Sequence, residues 1–161
     1  KNKIIIFDGS HNLSGVEKLN QYLKNNNIKP NVIFGMLNNK KAFEFLSIIK
    51  KNIDILYPIQ IPDEKNAYTQ KEIYKVSKKI NLKTVIVSNL SEINRLLINS
   101  SNKYVLVTGS LYLIGKIKKN TYRFDSSQDS SIFLGKLPTL VSTRLPSLKS
   151  INDGIPLTPN F

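Results

Sequence analysis

The chain has 161 residues, 40% of them apolar, which suits one ordinary hydrophobic core and requires no second domain. It contains no cysteine and a single histidine, excluding a disulfide framework, a thiolate metal site and a zinc enzyme with the usual ligand set. The formal charge is +13, and the excess lies wholly in residues 1–124 (21 Lys/Arg against 8 Asp/Glu), a field that either solvates the surface or attracts anions.

Short β-rich apolar runs alternate with segments of helical period, the pattern of βα units around a mainly parallel sheet. Residues 3–7 form the first strand, with three consecutive isoleucines as expected where helices cover both faces. This basic start runs straight into Asp8 and His11, unlike a cleavable signal peptide, and has no initiator Met, so it reads as a piece of a longer chain. A helix over 15–26 puts Val16, Leu19 and Leu23 on one side. Residues 31–36 are the second strand, and the helix over 41–50 repeats Phe43, Leu46 and Ile49, with Ala42 and Phe45 beside them. Residues 53–58 are the third strand, and Pro58 with Pro62 keeps the next loop extended.

Thr69 caps a helix running to Asn81, because Glu72 stands in the capping-box position; Ile73, Val76 and Ile80 face the sheet. Residues 84–88 are the fourth strand, and a short helix over 91–99 turns Ile93, Leu96 and Leu97 inward. Residues 104–108 form a fifth, very apolar and central strand. The apolar stretch 103–115 is interrupted by glycine and hydroxyl residues well short of a bilayer span, so no membrane span is expected; no membrane partner and a cytoplasmic setting are the expectations adopted. Gly109 and Ser110 open a brief helix ending near Gly115, and residues 121–124 return as an antiparallel edge strand. Residues 125–161 hold seven serines and four prolines, offer no unit to add to the sheet, and read as a loosely ordered tail. The expected fold is a Rossmann-like three-layer α/β domain over residues 1–124.

Three polar clusters follow strands, at the sheet edge where open α/β folds bind ligands. In Asp8-Gly9-Ser10-His11-Asn12, Asp8 can accept from hydroxyls or orient a cation, and His11 and Asn12 can donate to phosphate or hold a carboxylate; His11 could alternatively cap the adjacent helix or satisfy a local backbone group. Asn38, Asn39 and Lys40 either face the same crevice, Lys40 as a point charge for an anion, or form a solvated turn. Gly109 allows close backbone approach, and Ser110 caps a helix. Among these residues there is no dinucleotide fingerprint, no Gly-x-x-x-x-Gly-Lys-Ser/Thr phosphate loop, no serine-hydrolase elbow and no paired carboxylates for a metal.

Asp8-Gly9-Ser10-His11-Asn12 resembles the Asp-Gly-Ala-His-Asn signature that begins the C-terminal domain of folylpolyglutamate synthases. Residues 35–40 resemble the segment after their next strand, and residues 107–115 their closing motif. Order and separation fit over residues 1–124. The resemblance extends to bifunctional dihydrofolate synthases, within the Mur-ligase superfamily. It implies a Mur-ligase C-terminal-like fold and a two-domain ATP-dependent ligase, whose N-terminal P-loop domain binds ATP and magnesium. That enzyme activates a folate carboxylate as an acyl phosphate for attack by glutamate. By this likeness Asp8, His11 and Asn12 lie on the phosphate side of the interdomain cleft, with Lys40 and Ser110 nearby. The isolated chain is then expected to lack turnover and to bind no cofactor tightly. Ser10 stands where alanine is commoner, Lys41 where an aspartate usually follows the lysine, and residues 61–67 lack the arginine many members carry there.

The competing reading is a non-catalytic nucleic-acid-binding or assembly module using the basic surface. No RRM-like aromatic pair or compact arginine groove specifies RNA, so sequence-specific nucleic-acid binding is not expected.

Overall fold

The computed structural model describes residues 3–127 and 141–142. In chain order the elements are β1 (Ile4–Phe7), α1 (Leu13–Asn25), β2 (Asn31–Phe34), α2 (Ala42–Ile49) with a 3-10 turn (Lys50–Asn52), β3 (Leu56–Pro58), α3 (Gln70–Lys79), α4 (Leu90–Asn99), β4 (Tyr104–Thr108), α5 (Leu111–Ser127) and β5 (Val141–Ser142). The sheet order is β3-β2-β4-β1-β5, and every described pair is parallel. The fold is therefore α/β with a mainly parallel sheet, and β4 takes the central place that its apolar sequence implied.

Alternation along the strands divides the interior in two. Ile6, Val32, Phe34 and Leu106 face the core covered by α1, α2 and α3. Ile5, Phe7, Ile33, Val105 and Val107 face the opposite core, shared with Ile93 and Leu97 of α4 and Leu113 and Ile117 of α5. Helices on both faces explain why these strands are apolar without alternation in polarity. The α1 stripe of Val16, Leu19 and Leu23 is buried as expected, and Thr69 and Glu72 form a reciprocal capping box at the start of α3.

Three stretches differ from the sequence-based expectation. Residues 84–88 do not form a strand. A single parallel bridge joins Leu56 to Thr84, with Leu56 N–H donating to Lys83 O at 2.9 Å and Val85 N–H to Leu56 O at 2.9 Å. The next rung would need an N–H at position 58, where proline has none. Gln70 Nε2 instead donates to both Pro58 O (2.9 Å) and Val87 O (2.6 Å), replacing the ladder with a side-chain clasp.

Residues 121–124, expected as an antiparallel edge strand, are helical: α5 continues to Ser127, through the point where the domain was expected to end. Leu113, Ile114 and Ile117 already set a helical stripe that 121 and 124 prolong in sequence. Gly115 interrupts nothing, since a Cβ there would meet open space. Finally, Val141–Ser142 pairs with β1 (Ile6 with Val141, Phe7 with Ser142), adding a strand from the tail that was expected to contribute none. The rest of that expected loose tail lies outside the described residues. On a smaller scale, Phe43 is exposed rather than inward, because the buried stripe of α2 is Ala42, Phe45, Leu46 and Ile49, starting one residue earlier.

Candidate functional site

The chain leaves β1 toward α1 on one face of the sheet and leaves the neighbouring β4 toward α5 on the other. Such a divergence opens a crevice at the C-terminal ends of the two strands. A cleft of about 240 Å³ lies there, lined by His11 from the β1 loop, Leu37 and Lys40 from the β2 loop, and Gly109, Ser110, Leu111 and Tyr112 from the β4 loop.

The β1 loop is bolted to β4. Asp8 N–H donates to Val107 O at 3.0 Å, and its Oδ1 accepts Ser10 N–H at 3.0 Å and the hydroxyl of buried Thr108 at 3.3 Å. Ser10 O in turn accepts Gly109 N–H at 3.2 Å. His11 Nδ1 lies 2.9 Å from Gly9 O; a carbonyl can only accept, so Nδ1 carries the proton and Nε2 is the nitrogen left for a ligand. Asn12 is the N-cap of α1, its Oδ1 accepting Gly15 N–H at 2.8 Å. A Cβ on Gly9 would come within 2.6 Å of Leu111 Cδ2, so this loop and the start of α5 are in close contact.

The β4 loop depends on Gly109. Its φ of +101° is open to glycine, and a Cβ would fall 2.6 Å from Gly35 O and 2.7 Å from Phe34 Cε2. Ser110 is buried and its Oγ accepts Tyr112 N–H at 3.1 Å, which starts α5 at the cleft wall. Across the opening, Lys40 O accepts the Tyr68 hydroxyl at 2.9 Å, and Asn38 N–H donates to Asn66 O at 2.8 Å. Lys116 of α5 reaches Asp63 Oδ2 at 2.6 Å, and this ammonium holds the Asp63 carboxyl below its ordinary value.

Of the residues singled out from sequence, His11, Lys40, Gly109 and Ser110 meet on the cleft. Asp8, Gly9 and Ser10 shape the wall behind it; Asn12 is committed to capping, and Asn38 and Asn39 are exposed outside the lining. Leu37, Leu111 and Tyr112 were not singled out from sequence, and Leu111 is 62% exposed. Leu111 and Tyr112 directly follow the cap Ser110, and a first helical turn beginning at a strand's C-terminal end must border the crevice, a signal the sequence did carry. The lining holds two basic side chains, the hydroxyls of Ser110 and Tyr112 and no carboxylate, a set that can hold an anion but offers no activated nucleophile. Among the described residues no three metal-binding side chains come together.

A family model, "Dihydrofolate synthetase, C-terminal domain", matches residues 1–120. No curated protein sequence matches the chain. Among solved structures, Escherichia coli FolC in complex with DHPP and ADP is similar, with 18% identity and a TM-score of 0.64, covering 75% of this chain and 29% of its own. The Thermotoga maritima folylpolyglutamate synthase has 22% identity and a TM-score of 0.60, with 72% and 27% covered. The Yersinia pestis bifunctional folylpolyglutamate synthase/dihydrofolate synthase complexed with AMPPNP and Mn has 17% identity and a TM-score of 0.59, with 71% and 28% covered. The chain thus spans less than a third of the length of each of these structures.

Proposed function

Since the chain belongs to the family of dihydrofolate synthetase C-terminal domains, we propose that it is the cleft-closing half of an ATP-dependent folate-glutamate ligase. Turnover then requires an N-terminal P-loop domain. The observation that carries this reading is the convergence of His11, Lys40 and Ser110, from three separate loops, on one small cleft. At about 240 Å³ the cleft falls below the roughly 300–1,000 Å³ that encloses a whole small molecule. It fits one anionic group, a phosphate or a carboxylate, presented by a larger ligand held elsewhere.

In the intact ligase ATP supplies the phosphoryl group that activates the folate carboxylate. What this chain adds is electrostatic and steric. Lys40 contributes a mobile point charge and His11 a nitrogen that donates when the ring is charged, both facing developing negative charge. Leu37, Leu111 and Tyr112 provide an apolar rim, and its closure over the partner domain removes water that would hydrolyse an activated carboxylate. Asp8 and Asn12 act as positioning residues, Asp8 by tying the loop to β4 and Asn12 by capping α1. Magnesium in this reading is held by the phosphates and the P-loop domain.

The single histidine makes a direct test possible. Titrating the 161-residue chain with pyrophosphate and with glutamate should shift the His11 ring resonances in an NMR spectrum, and Lys40→Ala or Ser110→Ala should weaken the shift several-fold. The purified chain should also incorporate no glutamate into dihydropteroate or tetrahydrofolate with ATP. An unmoved His11 signal would remove the anion site, and robust glutamate addition by the chain alone would remove the need for a second domain.

A further inference from the structure

Because every described strand runs the same way, the segments entering the strands gather at the pole opposite the cleft. Lys3, Lys29, Lys51, Lys83 and Lys103 stand in the segments leading into β1, β2, β3, the Thr84 bridge and β4. These segments form one surface. Lys3 Nζ donates to Asn102 O at 2.8 Å, Asn102 Nδ2 to Lys29 O at 2.8 Å, Asp54 N–H to Pro30 O at 2.9 Å, and Leu56 N–H to Lys83 O at 2.9 Å. Lys24, Lys78 and Lys79 in the last turns of α1 and α3 border it.

Asp54 is the one described carboxylate in these segments. Up to residue 119 the others (Asp8, Glu17, Glu44, Asp63, Glu64, Glu72 and Glu92) lie in loops leaving strands or in the first half of helices, toward the cleft, and Asp125 alone of the described acidic residues falls in a last helical turn, that of α5. Charge is therefore segregated between the two poles. Helix dipoles favour lysines in last helical turns, Lys51 of the 3-10 turn included, but that argument does not extend to Lys3, Lys29, Lys83 and Lys103.

We propose that this lysine pole is a sequence-independent binding surface for the phosphate backbone of nucleic acid. Its chemistry matches phosphates better than bases or lipid. Tyr74 and Tyr104 are already covered by the Lys78 and Lys103 ammonium groups, at 5.1 and 5.2 Å from the ring centroids, and offer no free stacking platform. The exposed apolar residues Phe43, Leu111 and Tyr112 lie toward the cleft pole, and Val85 and Ile86 along the sheet edge, leaving Ile98 near the lysines as a lone apolar anchor. Point charges without stacking or base-edge donors fix a backbone and read no sequence.

The test uses the full chain and a short fluorescein-labelled duplex DNA of arbitrary sequence, with binding followed by anisotropy over a salt series. Reversing the exposed Lys29, Lys51 and Lys83 to Glu should lower affinity by about 10-fold or more at low salt, and flatten the log-log salt dependence by roughly one per lysine that contacts phosphate. Reversing the equally exposed Lys18, Lys65 and Lys71 to Glu removes the same net charge and should cost markedly less. A milder set, the first three lysines changed to Gln, should lose less affinity in the same direction, and melting curves exclude unfolding as the cause. Equal losses in the two Glu sets would overturn the proposal by showing that net charge alone drives binding. Tight binding to phosphatidylserine vesicles with none to the duplex would overturn it in favour of a membrane surface.

Discussion

Residues 104–108 and 84–88 are both short, apolar and β-branched, yet only the first becomes a strand. Tyr104–Thr108 lies between β1 and β2, with parallel partners on both sides. Residues 84–88 have β3 alone and make one bridge before Pro58 withholds the next donor. Strand formation here depends on what the neighbour can offer, and the intrinsic preference of the segment is the weaker influence. The difference extends to function, because β4 delivers Gly109 and Ser110 to the cleft whereas 84–88 leads to a helix that contributes nothing to its lining.

That contrast can be broken or sharpened by substitution. The largest expected effect is at the centre of the sheet: Leu106→Ala should lose about 2–5 kcal/mol in urea unfolding, whereas Ile86→Ala on the exposed segment should stay within about 0.5 kcal/mol. Similar losses at both sites would mean that 84–88 is structurally as important as β4. Next comes Gly109→Ala, expected to cost about 1–3 kcal/mol through the forced positive φ, with further loss from the contact against Gly35 O and a diminished His11 response to pyrophosphate.

Gln70→Ala removes the clasp on Pro58 O and Val87 O and should cost about 1–2 kcal/mol, with faster amide exchange in residues 84–88. Thr69→Ala should cost about 1 kcal/mol through the lost cap. Here pH provides a check. Hydrogen bonds from the Thr69 side chain and backbone lower the Glu72 carboxyl below its ordinary 4.5, so the contribution is complete above that value and lost as pH falls through the lowered one. The gap between wild type and Thr69→Ala should narrow in acid. The smallest change in stability belongs to Pro58→Val, which gains a rung and loses rigidity in the unfolded chain, leaving roughly zero net. Protection of the new amide at residue 58 from exchange is its signature, and a fully unprotected amide there would show that proline is not what stops the ladder.

Much of the molecule could be read before the fold was seen. The triple isoleucine, the Val16-Leu19-Leu23 stripe and the Thr69–Glu72 box are local signals, and each appears where its pattern placed it. The loops carrying His11, Lys40 and Ser110 were identified because strand ends in a parallel sheet share one edge. What could not be read depended on partners distant in sequence. The fate of 84–88 lay in Pro58 and Gln70, and the pairing of Val141 required β1. Gly115 misled for a different reason: a glycine on an exposed helical face need not end the helix. The cleft's apolar rim is another case: Leu111 and Tyr112 resemble core residues by composition, and only their place directly after the cap Ser110 marks them as bordering the crevice.

One consequence follows from α5 being a single unbroken element. Seventeen residues at the usual helical rise make a strut about 26 Å long, beginning at the cleft wall and pinned along its side by Leu113, Ile117 and the Lys116–Asp63 bridge. A helix neither stretches nor compresses readily. The cleft wall at Tyr112 is therefore backed within the next turn and a half by Leu113, Lys116 and Ile117, and a load placed on it is carried by the body of the domain and not absorbed by a yielding loop.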